Sequence, residues 1–198
     1  MNELLKFSQE PNKGKEDKKQ KPVKILFYPQ EPKFILNTLE YFFIWEIKGR
    51  KIINSIEALG LPFTERDLTA IVHEGHSHSG HKLGDPIKLR YNSKKKDISL
   101  IHELLHRFIM QHNLWKFVKE NKIGNREWGD VHELLDLFFY FVLIELYGEE
   151  KPNEVANYEH GEQRYIDSWN WVLKLSDEER ESLLKDIIDK YKRECLVG

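Results

Sequence analysis

Eight consecutive apolar residues, Leu137 to Ile144, lie between Asp136 and Glu145 and set the first condition on the fold. The run is too short for a membrane span, which needs about 20 residues. It therefore predicts a buried helix, reaching from about Asp130 to Tyr147 and stopped by Gly148. The rest of the chain can surround such a helix. Five Trp, eight Tyr and eleven Phe among 198 residues exclude a disordered chain, because large apolar side chains offset the entropy of ordering. A chain of this size buries roughly 70% of its extended surface, enough for one compact domain with a modest appendage.

Charge and cysteine content narrow the partners. The 31 basic and 33 acidic residues give a net charge of -2, which argues against nucleic acid as a partner. A single cysteine, Cys195, rules out an intrachain disulfide and any C-x2-C zinc site. The N-terminus carries no apolar stretch of signal-peptide length, and the expected setting is cytoplasmic, with no membrane partner. Residues 1–21 read as a flexible lysine-rich tail.

The remaining elements follow from periodicity and punctuation. Val23–Tyr28 reads as a strand, Lys33 to about Leu59 as a helix that Gly49 could kink, and Leu68–Val72 and Ile87–Tyr91 as two more short strands. With Asp97 as N-cap, a helix is expected from Ile98 to about Phe117. After the central helix come two amphipathic helices, about Asn153–Leu175 and Asp177–Leu196, the second opened by a Ser176/Glu179 capping box. The expected class is α+β: a small sheet of about three short strands and a largely helical C-terminal half. The domain reading is a tail over 1–21, a core over 22–148 and a C-terminal helical pair over 149–198.

The chemistry concentrates in His102-Glu103-Leu104-Leu105-His106. Histidines at i and i+4 stack on one helix face and can share one zinc, while the intervening Glu lies near the metal's open position and can take a proton from water. Leu100, Ile101, Leu104, Leu105, Phe108 and Ile109 make this helix strongly apolar. His102, Glu103 and His106 are the exceptions, and a metal site explains a buried carboxylate that would otherwise be costly.

This HExxH motif, on a helix preceded by a strand, resembles the zincin metallopeptidases. The order strand, helix, strand, strand, motif helix, second helix is similar over about residues 23–147. The resemblance implies a zinc-dependent hydrolase of peptide or protein substrates, with Zn2+ held by His102 and His106 and with Glu103 as general base. It also implies a third ligand. A metzincin arrangement would use His112, but that pattern needs Gly where this chain has Ile109, so the helix should continue and carry His112 away. A gluzincin-like arrangement takes the ligand from the next helix, where Asp130-Val131-His132-Glu133 opens the apolar segment. Residue type favours Glu133 and spacing to Asp136 favours His132; the reading leans to Glu133, with Asp136 as the carboxylate orienting a ligand imidazole.

Four of the nine histidines lie in the tract His73–His81, whose glycines and serines suggest mobility and an accessory role at most. Tyr140, Tyr158, His160 and Tyr165 are candidates for stabilising a developing oxyanion. The competing reading is a non-catalytic or regulatory zincin-like scaffold that binds a protein or nucleic acid, supported by the basic tail and Lys94-Lys95-Lys96.

Overall fold

The structure is a computed structural model, and it describes residues 21–158 and 163–196. The tail reading for 1–21 falls, apart from Lys21, outside the described residues. The class is α+β. Strands β1 (Lys24–Pro29), β2 (Asp67–His73) and β3 (Ile87–Arg90) form a sheet in the order β1-β2-β3, parallel throughout. Parallel neighbours cannot be joined by a hairpin. Helix α1 (Ile35–Glu57) supplies the first crossover, and residues 74–86, which hold no helix, supply the second.

Alternation along the strands decides which sheet face is covered. Ile25, Leu68, Ala70, Val72, Ile87 and Leu89 are buried, whereas Leu26 and Tyr28 on the other face are 58% and 50% exposed. Helices therefore cover one face of this sheet far more than the other, unlike most parallel sheets. Helix α1 runs unbroken through Gly49. The glycine is there for space, since a Cβ would come within 2.6 Å of the Trp45 ring.

Helix α2 (Lys96–Gln111) starts earlier and ends sooner than its sequence suggests. Asp97 sits in the first turn rather than at the cap, and its carboxylate accepts hydrogen bonds from Lys48 Nζ (2.9 Å) and Tyr147 Oη (2.8 Å). Burial pushes this carboxyl up, but those two bonds outweigh it and hold the group below its ordinary range. At the other end Asn113 adopts a left-handed conformation (φ 50°), which Asn tolerates better than most residues. The chain turns there, and α3 (Leu114–Glu120) begins as a separate helix.

Helix α4 (Val131–Tyr147) is the buried central helix. Leu134, Leu135, Leu137, Phe138, Phe139, Val142 and Leu143 are fully buried, packed among α1, α2 and the C-terminal helices. Asp130 caps it through a bond from the His132 amide (2.9 Å), and Gly148 ends it with a positive φ of 93°. Among the described residues, the C-terminal part holds α5 (Lys151–Tyr158), α6 (Gln163–Lys174) and α7 (Asp177–Tyr191). The expected first member, about Asn153–Leu175, is represented by α5 and α6, and residues 159–162 between them lie outside the described residues. The Ser176/Glu179 capping box opens α7 as expected. No helix among the described residues is long and apolar enough to cross a membrane.

Candidate metal centre

Packing of α4 on α2 brings three imidazoles together. His102 and His106 stand one turn apart on α2, and His132 enters from the first turn of α4. The Nε2 atoms of His102 and His106 are 3.2 Å apart, and the nearest ring nitrogens of all three residues lie within 4.8 Å of one another. A tetrahedron with metal–nitrogen bonds of about 2.05 Å has an edge of about 3.3 Å, so the α2 pair is already spaced for one zinc. The ring centroids of His132 lie 5.9 and 5.1 Å from those of His102 and His106.

Electrostatics favour neutral ligands. Burial, reinforced by His132, pushes the His102 imidazole down to about 3, and burial likewise holds His106 well below its ordinary value. A metal-binding imidazole must be unprotonated, so these two rings need shed no proton at neutral pH to bind. The third ring is oriented by a residue whose role sequence reasoning missed. Asp130 accepts hydrogen bonds from both the amide and Nδ1 of His132, which leaves Nε2 for the cluster. Its signal was local: an N-cap aspartate two residues before a histidine can serve both groups.

The other candidates separate clearly. Glu133 pairs with Arg126 (3.0 Å) and accepts from the Gly129 amide (3.0 Å), while the Arg126 guanidinium lies over Trp171 at 3.8 Å. It is His132, rather than the favoured Glu133, that the fold brings to the α2 pair. Asp136 is wholly buried one turn beyond His132. His112 lies outside the cluster: its Nε2 donates to the Pro62 carbonyl (2.8 Å), with the ring between Phe108 and Tyr191. Tyr165 of α6 packs edge-on against His132, with ring centroids 4.5 Å apart, whereas Tyr140 lies against Arg180 and Asp177. The Tyr158 side chain and His160 fall outside the described parts of the chain.

A cleft of about 1010 Å3 opens over the three histidines, with Glu103, Arg164 and Tyr165 on its lining. One wall is the histidine tract itself, through His76, His78 and His81. Glycine content suggested mobility there, but the tract is tied down. His78 exchanges two backbone hydrogen bonds with Lys88 of β3 (3.0 and 2.8 Å). Arg107, wholly buried and next to His106, grips Glu65 with two nitrogens (2.7 and 2.5 Å) and the carbonyls of Ser79 and Lys82 with a third (2.9 and 2.8 Å). Nothing local in the sequence pointed to Arg107, whose partner carboxylate is far away along the chain. His73 has both ring nitrogens engaged, one donating to His76 O and one accepting from the Gly75 amide.

No family model, curated protein or solved structure matches this chain. Geometry alone must carry its function.

Proposed function

We propose that the protein is a zinc-dependent hydrolase of peptide bonds. The observation that carries this reading is the convergence of His102, His106 and His132 beneath an open cleft, with Glu103 between the first two on the same helix. The donor set suits zinc: three imidazoles on two packed helices, with the cleft side left for a water molecule or substrate. Zinc bound there would supply Lewis-acid activation of water and of the scissile carbonyl.

The chain's own groups have separate tasks. Glu103, only 3% exposed yet lining the cleft, would take a proton from the attacking water and pass it to the departing amine. The C–N bond breaks, the water oxygen ends in the new carboxylate, and both water protons end on the departing amine, which leaves as an ammonium. Asp130 holds the His132 tautomer. The Tyr165 hydroxyl is the described candidate for donating a hydrogen bond to the developing oxyanion.

Glu103→Gln separates this reading from a binding scaffold. The variant should keep zinc and melting temperature while hydrolysis of a mixed peptide library falls by at least about a hundredfold. Unchanged turnover would contradict the assignment. Wild-type protein that holds zinc yet cleaves nothing in the library would favour the scaffold.

A further inference from the structure

Among the described residues, the cleft lining holds two guanidinium groups, Arg90 and Arg164, and a single carboxylate, Glu103. Arg107 is neutralised by Glu65 at the base of the wall, and the Arg164 charge acts on the neighbouring Asp130 carboxylate. Arg90 is the more telling of the two. It is the last residue of β3, and ligands of parallel sheets gather beyond the carboxyl ends of the strands. Both of its backbone groups are fixed: its amide donates to Ser77 Oγ (3.0 Å), and its carbonyl accepts from Tyr41 Oη (2.9 Å). Its side chain is exposed at the cleft and forms no ion pair with any described residue. A pinned backbone, an available guanidinium and a shortage of acidic neighbours are the features of a carboxylate-recognition point.

Resting on the hydrolase reading, we infer that the cleft selects peptides with an acidic side chain beside the scissile bond, and that Arg90 is a specificity-determining residue. An acidic group would meet the Arg90 guanidinium there, and a lysine in its place would be repelled by it. Arg90 lies outside the histidine cluster, so its removal should leave zinc binding and the hydrolytic groups intact.

The test uses full-length, zinc-loaded Glu103→Gln, which binds without turnover, and follows Trp115 fluorescence at the cleft. Three peptides of one length are compared: an alanine-rich peptide and its versions with two Asp or two Lys at the centre. Expected is the order Asp, Ala, Lys, with the Asp peptide at least about fivefold tighter than the Lys peptide and weakening as salt is raised. Adding Arg90→Ala should remove roughly three- to fivefold of the Asp peptide's affinity and under twofold of the alanine peptide's. Adding Arg90→Glu should reverse the order.

Equal affinities, a preference for Lys, or an Arg90→Ala effect identical for all three peptides would overturn the inference. So would displacement of the Asp peptide by a single-stranded oligonucleotide of equal charge that binds more tightly. The two proposals fail separately. Wild-type cleavage without acidic preference removes only the specificity, whereas Asp-peptide binding without any cleavage by the wild type removes only the hydrolase.

Discussion

Two groups of histidines face the same cleft and behave differently. The tract 73–81 places four imidazoles within nine residues, yet His73 spends both nitrogens on its own loop and the others converge on no common point. The helical group draws two residues from α2 and one from α4, well apart in sequence, and brings their nitrogens within 4.8 Å. Density of ligand-type residues does not make a site. A site needs backbones whose relative positions are set by a core, and here the apolar faces of α2 and α4 set them. The tract is a wall, with its position owed to Arg107 and to β3.

The sharpest way to break this contrast is to remove members of each group. Single alanine substitutions at His102, His106 or His132 should weaken zinc binding by well over about a hundredfold, more than the loss of an orienting partner. Replacing His76, His78 and His81 together should leave about one tightly held zinc per chain. Metal content after dialysis against a graded chelator measures both. Retained zinc in the first set, or lost zinc in the second, would reverse the comparison.

The wall's anchor comes next. Arg107→Met leaves Glu65 without its buried partner, a loss of about 3–5 kcal/mol, so the melting temperature should fall by roughly 10 °C. Pairing it with Glu65→Leu should restore much of that loss. A third test concerns the groups that support His132 on α4. Asp130→Ala should weaken zinc binding by about 10–100-fold and Asp136→Ala by a similar factor, while Glu133→Ala should change it by under about twofold. A large Glu133 effect would return that carboxylate to the ligand set.

The smallest expected effect lies away from both groups. The folded Asp97 carboxyl sits below the unfolded value of about 3.9. Its contribution is therefore present above about pH 4 and lost as pH falls through the folded value. Asp97→Asn should melt a few degrees lower at pH 7, and the gap should narrow as pH falls below about 4, with circular dichroism as the measure.

These contrasts also show what a single sequence can reveal. The strands, α1, α4 and the Ser176 capping box were legible because each rests on local periodicity or a local stop signal. His102, Glu103 and His106 were legible for the same reason, being fixed by the turn of one helix. The third position was not. His132 and Glu133 flank Asp136 at about 40° and 60° around α4, so helix geometry alone cannot choose between them. The choice depends on how α4 packs against α2 and on Arg126 occupying Glu133. The break at Asn113 hid because one left-handed residue leaves no periodic trace. Arg107 hid because its meaning comes from Glu65, across the fold.

Zinc-edge X-ray absorption of the zinc-loaded protein tests the central claim most directly. The account predicts three imidazole nitrogens and one oxygen at about 2.0–2.1 Å, with one imidazole lost in His132→Ala and none lost when the loop histidines are replaced. Two imidazoles with a protein carboxylate, unchanged by His132→Ala, would contradict it.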